Sequence, residues 1–189
     1  MKRYGEVLCD LYANHLSPNM DCLVIRPANC YGPHDKFDLD KCHVTPATIR
    51  KVIDKHNPIE VWGDGNQTRS FMFIDDCVEG LVRIMDSGYV RPINLGTDEL
   101  VTVNQLVDMV CHASGKELTK IHDLTKPQGV RGRNSNNSLL REIIGWEPQI
   151  PLKDGMAQTY QWIWSELSGH GRANAPNPNI DSRVEPRGR

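Results

Sequence analysis

No stretch of this 189-residue sequence holds the ~20 consecutive apolar residues that a membrane-spanning helix needs. A helical anchor is therefore excluded, and no membrane partner is expected. Basic residues have no surplus. Lys and Arg number 22 against 24 Asp and Glu, a net charge of -2, so the chain as a whole exerts no electrostatic pull on nucleic acid. Met1-Lys2-Arg3-Tyr4-Gly5-Glu6 has no apolar core behind its basic pair, so no secretory signal is read and the location reads as cytoplasmic. Cysteine is scattered (Cys9, Cys22, Cys30, Cys42, Cys77, Cys111) and never spaced C-x-x-C. The thiols read as reduced, and no metal site is expected. A glycine-rich strand-to-helix turn is also missing. Gly63-Asp64-Gly65 lacks a third glycine and no helix follows it, so it is a turn and not a dinucleotide fingerprint.

What is present alternates between helix and strand patterns, which makes the class α/β. Val7, Leu8, Leu11, Tyr12 and Leu16 recur at helical spacing until Ser17-Pro18-Asn19. Cys22-Leu23-Val24-Ile25 is a short apolar run, as expected of a strand buried on both faces. Arg26 to about Thr45 is polar. Pro46 then sits in the first turn of a helix striped by Ile49, Val52 and Ile53. Ile59–Trp62 alternates as a half-buried strand, and 70–74 reads as a second. Asp75 or Asp76 should cap a helix whose apolar face holds Val78, Leu81, Val82 and Met85.

Pro92–Gly96 reads as a short strand. Thr102-Val103-Asn104-Gln105 carries a capping-box pattern before Leu106, Val107, Val110 and Cys111, and Gly115 should end that helix. Residues 120–122 form a brief strand, and 126–137 a polar loop with Arg131 and Arg133. Ser135 or Asn136 should cap a short helix reaching Ile144. Leu152, Met156, Tyr160, Ile163 and Leu167 outline the last helix. Residues 168–189 are almost devoid of apolar side chains and read as a disordered tail.

Four strings resemble the extended short-chain dehydrogenase/reductase family of NAD-dependent epimerases and dehydratases. They are Lys2-x-x-x-Glu6 opening a helix, Arg26-Pro27-Ala28-Asn29-Cys30-Tyr31-Gly32-Pro33 after a strand, Val61 to Phe71 followed by Ile74-Asp75-Asp76, and Gly129-Val130-Arg131-Gly132-Arg133-Asn134. The order and spacing match from Met1 to about Leu167. Within the family, the strings resemble a GDP-mannose 3,5-epimerase branch and a GDP-fucose synthase branch. The resemblance implies the C-terminal part of a Rossmann-like doubly wound sheet, with a small α/β substrate-binding domain, over residues 1–167. It further implies a GDP-hexose substrate handled through a 4-keto intermediate, NAD or NADP as cofactor, and a homodimer in the full-length parent.

The match also defines a departure. If Lys2 is the lysine of the family's Tyr-x-x-x-Lys pair, its tyrosine would lie before Met1. No tyrosine in the sequence has a lysine four residues on. The sequence thus reads as the C-terminal half of an enzyme, inactive by itself and poorly stable alone. The other expectation is a non-catalytic module that binds nucleotide sugars or dimerises.

The resemblance assigns roles residue by residue. Lys2 would hold the nicotinamide ribose and lower a tyrosine pKa, or is a solvated terminal lysine. Pro27 and Asn29 would line the nicotinamide, with Asn29 also near the sugar, or Asn29 only shapes a turn. His43 would exchange protons next to a carbonyl while touching the cofactor, or is a surface histidine. Lys51, Trp62, Arg69 and Arg133 would bind substrate, the arginines as bidentate donors to a diphosphate. Trp62 could instead be a core aromatic, and Arg131 could replace Arg133.

Overall fold

The computed structural model describes residues 1–169, so residues 170–189, which hold most of the expected tail, lie outside the described residues. Helix α1 (Lys2–Asn14) comes first, and none of its residues is buried. Tyr4, Val7, Leu11 and Tyr12 are exposed on it. One tie to the body is Arg26, which donates to both Glu6 carboxylate oxygens at 2.7 and 2.6 Å.

Strand β1 (Ile25–Pro27) starts later than the run at 22–25 predicts, and none of its residues is buried. It pairs in parallel with β6 (below) along one edge, and its other edge has no strand among the described residues. Strand β2 (Asn29–Tyr31) lies inside the stretch read as polar loop. Its anchor is Tyr31, only 3% exposed, set edge-on to Phe71 and Phe73.

Helix α2 (Val44–Ile53) carries Pro46 in its first turn, as expected. Strand β3 (Ile59–Trp62) alternates buried and exposed. After it come β4 (Thr68–Arg69), β5 (Phe71–Phe73) and α3 (Ile74–Asp86). The cap of α3 is Phe73, not an aspartate. Asp76 is buried in the first turn, where its carboxylate accepts from the Gln149 and Ile150 amides at 3.0 and 2.8 Å. The predicted apolar face is also corrected. Asp76, Gly80 and Ile84 are buried, while Val78, Leu81, Val82 and Met85 are exposed.

Strand β6 (Ile93–Leu95) and β7 (Val101–Thr102) lead into α4 (Val103–Ser114). The capping box is present in full. Thr102 Oγ1 accepts from the Gln105 amide at 3.0 Å, and Gln105 Oε1 accepts from the Thr102 amide at 2.8 Å. Gly115 closes the helix in the left-handed region. Strand β8 (Lys120–Asp123) follows. The loop at 126–137 contains a short strand, β9 (Gly132–Arg133). Helix α5 (Ser138–Ile144) is capped at Asn137, while Asn136 accepts from the Ser138 amide. Helix α6 (Leu152–Leu167) ends the described chain, with Leu167 exposed.

Three parallel pairs, β1 with β6, β2 with β5 and β3 with β8, give the chain its Rossmann-like character. The larger core lies where α2, α4 and α6 pack on one another, burying Ile49, Val52, Leu106, Val110, Met156 and Ile163. Each such side chain contributes about 1.5–3 kcal/mol. A smaller core of Met72, Ile84, Ile93, Leu95 and Leu140 joins α3 and α5 to β6. Within the larger core Phe73 packs on Gly155 of α6. A Cβ there would press on the Tyr31 hydroxyl and stand 2.7 Å from Phe73 Cδ2. Gly155→Ala should therefore destabilise by about 1–3 kcal/mol, although alanine is the better helix former. A thermal melt that rises instead would contradict this packing.

Candidate functional site

Two clefts adjoin. The first, about 660 Å³, opens beyond the C-terminal ends of the parallel strands. Ala28, Gly32 and Ile74, which directly follow β1, β2 and β5, line it. Ligands of open α/β sheets sit at such ends. The second, about 480 Å³, lies between α2, β3 and the loop at Pro127 and Gln128. They share His43, Val44 and Arg69.

The elements deliver the expected residues unevenly. His43 is the N-cap of α2, exposed, on the border of both clefts. Lys51, further along α2, lines the second cleft, where its Nζ donates to the Glu60 carbonyl at 3.0 Å. Trp62, at the end of β3, is 50% exposed and lines the same cleft, so the core-aromatic alternative is corrected. Lys126 Nζ stands 5.5 Å from its ring centroid. Asn29 lines the first cleft and donates to the Ser70 carbonyl at 3.0 Å. Pro27 and Arg133 border a smaller recess that also touches Asn29. Lys2 stands exposed in the first turn of α1, outside the linings of both clefts.

Arg69 and Arg133 are register partners on the adjacent parallel strands β4 and β9. Like charges opposed across a strand pair repel. Neither guanidinium meets a carboxylate among the described residues. Arg69 Nη1 donates to the Thr68 carbonyl, and Arg133 has no side-chain partner among the described residues. Gly129 leaves room for Arg69, since a Cβ there would come within 3.3 Å of Nη2. Arg131 is differently employed. It pairs with Asp64 at 2.9 Å, and Asp64 also accepts from the Asn66 amide. These contacts, the amide first and Arg131 second, hold the Asp64 carboxyl below its ordinary range. Arg131 thus ties the 63–66 turn to the 126–133 loop.

Two residues escaped the sequence reading. Gln67 is 7% exposed and lines the second cleft. Its Nε2 donates to the Trp62 carbonyl at 3.0 Å, which leaves Oε1 buried with no partner among the described residues. His34, in the first cleft, has φ 70 and rests its ring against Trp162, centroids 5.1 Å apart. Tyr31 also lines the first cleft, yet burial pushes its phenol upward and its hydroxyl donates to the Leu152 carbonyl at 3.2 Å. It is therefore unsuited to act as a proton-accepting tyrosinate.

A model of the NAD dependent epimerase/dehydratase family matches residues 1–96. The chain belongs to that family. GDP-mannose 3,5-epimerase of Arabidopsis thaliana is 41% identical over 162 residues, which cover 86% of this chain and 42% of that protein. A probable GDP-L-fucose synthase of Oryza sativa subsp. japonica is 33% identical over 164 residues, 84% of this chain and 49% of the relative. Among solved structures, UDP-glucose 4-epimerase of Thermotoga maritima with UDP-glucose superposes with a TM-score of 0.77 at 25% identity, covering 87% of this chain and 52% of that one. UDP-glucuronic acid 4-epimerase of Bacillus cereus, in complex with UDP-glucuronic acid and NAD, gives 0.75 at 26% identity, covering 86% and 50%. The chain spans about half the length of the curated relatives it matches. Like these epimerases it is Rossmann-like, and no helix among its described residues is long and apolar enough to cross a membrane.

Proposed function

We propose that the chain forms the substrate-holding half of an NAD(P)-dependent nucleotide-sugar epimerase or reductase, acting on a GDP-hexose through a 4-keto intermediate. The observation that carries this reading is the Arg69–Arg133 pair, two guanidinia in register with no carboxylate partner among the described residues, Arg69 at the junction of the two clefts and Arg133 on the smaller recess beside Asn29. A diphosphate is the ligand that turns their repulsion into attraction, since it presents several anionic oxygens to two forked donors. The second cleft would then take the nucleoside, with Trp62 against the base, Lys51 beside it and the orphaned Gln67 Oε1 accepting from a base or ribose donor. The first cleft would take the hexose, with His43 and Asn29 at its ring. An imidazole at that border can take or return a proton next to a carbonyl.

The residues present fit one end of a dinucleotide and not its middle. Pro27, Asn29 and His43 would border a nicotinamide at the strand ends. No glycine-rich turn into a helix N-terminus exists among the described residues to cradle the pyrophosphate. NAD(P), when bound, supplies hydride exchange. Lys2 would act only beside a tyrosine supplied from outside this sequence. Tyr4, Val7 and Leu11, exposed along α1, support pairing of two copies in the full-length parent.

A thermal-shift screen with GDP-mannose, GDP-fucose, UDP-glucose and free mannose tests the reading. Ligands that bind only the folded chain raise its melting temperature. The GDP-sugars should raise it most and free mannose not at all; equal silence from all four would refute the proposal. Gln67→Met keeps the side chain's length and removes the orphaned acceptor, together with the amide that donates to the Trp62 carbonyl. It should weaken GDP-sugar binding about tenfold, the equivalent of about 1.4 kcal/mol, with only a small change of melting temperature in the absence of ligand, because the lost donation to Trp62 is offset by the loss of a buried unpaired oxygen. Unchanged affinity would remove Gln67 from the site.

A further inference from the structure

We propose that Cys30 and Cys77 form a redox-active dithiol that closes into a disulfide linking β2 to α3. The two Sγ atoms lie 3.4 Å apart, part-buried, although the residues are 47 positions apart in sequence. Cys30 sits on β2 between Asn29 and Tyr31, and Cys77 in the first turn of α3. Both pack against the smaller apolar core, so neither thiol is held by chance on a loose loop. The other contact of the Cys30 thiol is a weak donation to the Ala28 carbonyl at 3.6 Å. All six cysteines are free. Cys30 also lines the first cleft, which gives a small disulfide a way in and gives the bond a consequence. It would fasten the strand that carries Asn29 to the helix behind it.

The oxidant is a low-molecular-weight disulfide, RSSR. One cysteine thiolate attacks a sulfur of RSSR, forming a mixed disulfide and expelling RS⁻. The second thiolate attacks the protein sulfur of that mixed disulfide and expels the second RS⁻. Two protein thiols are thereby oxidised by two electrons, RSSR is reduced to two RSH, and the two protons lost by the cysteines are taken up by the leaving thiolates. Burial first, and the Cys77 thiol second, push the Cys30 thiol up to about 12. Few Cys30 thiolates exist near neutrality, so closure is slow and quickens with pH.

The test is incubation of the full chain with excess oxidised glutathione between pH 7 and 9, followed by alkylation of the remaining thiols, intact mass and non-reducing peptide mapping. The expected product carries two alkyl groups fewer than the equally treated reduced chain and yields a peptide joining Cys30 to Cys77. It should form about tenfold faster for each pH unit. It should melt several degrees higher, because a cross-link over 47 residues restricts the unfolded chain, and dithiothreitol should reverse both changes. Cys77→Ala should abolish the linked peptide while Cys9 and Cys22, a second neighbouring thiol pair on α1 and the segment before β1, remain able to react. Should that variant fail to fold, the mapping of the unaltered chain decides alone. A product that keeps glutathione on Cys30 or Cys77 without closing, or a linkage confined to Cys9 and Cys22, overturns the proposal.

Discussion

Replacing Arg69 by alanine is expected to weaken GDP-mannose binding by about 10- to 100-fold, and replacing Arg69 and Arg133 together by about 1,000-fold or more. A hydrogen bond to a charged group is worth about 1.5–3 kcal/mol, and each guanidinium can offer a fork of them to a diphosphate. The same substitutions should leave the ligand-free chain as stable as before or slightly more so. They remove a like-charged pair in register and break no ion pair among the described residues. That split is what separates a binding role from a structural one. Arg131→Ala should do the reverse, because its guanidinium is engaged by Asp64. It should loosen the turn at 63–66 with a smaller effect on affinity. Isothermal titration and thermal melts of the three variants give both readouts.

The second large effect concerns turnover. The 189-residue chain with NAD(P) and GDP-mannose is expected to produce no epimer or reduced sugar. The tyrosine that should take the hydroxyl proton has no equivalent in the sequence, and Tyr31 is buried with its hydroxyl committed to Leu152. Supplying the nucleotide-binding half of a GDP-mannose 3,5-epimerase, fused ahead of Met1 so that a tyrosine falls four residues before Lys2, should produce measurable turnover. The free edge of β1 and the exposed Val78, Leu81, Val82 and Met85 of α3 offer such a half a strand to pair with and an apolar face to cover. Product formed by the chain alone would overturn the assignment of the missing tyrosine. A folded but inert fusion would favour a module that binds nucleotide sugars without catalysis.

The legible parts of the fold were those where local chemistry and tertiary packing agree. The capping box at Thr102 and Gln105, the stripe through Leu106, Val107 and Val110, and the closing Gly115 all stand where the sequence puts them. Helix α3 was misread because its apolar residues do not face its own core. A glycine, an isoleucine and a buried aspartate do, and the four large side chains lie exposed. Strand β2 was invisible because three residues carry no period. It exists because Tyr31 fills the gap between Phe71, Phe73 and Gly155, contacts 40 or more positions away in the chain.

At the site, the sequence strings name Arg69, Trp62, Lys51 and His43, which line two joined clefts, and Arg133, which borders a smaller recess beside Asn29. The different employment of Arg131 and Arg133 is not written in the sequence. Spacing cannot say which guanidinium Asp64 already holds. Gln67 and His34 were out of reach for the same reason. An amide oxygen without a partner and a histidine at φ 70 are properties of a packed chain, with no sequence pattern of their own.

The most direct measurement is a co-crystal structure with GDP-mannose. The account predicts the diphosphate between the Arg69 and Arg133 guanidinia, the base against Trp62 with a donor on Gln67 Oε1, and the hexose in the cleft bordered by His43 and Asn29. A diphosphate bound elsewhere, with neither guanidinium in contact with it, would contradict it.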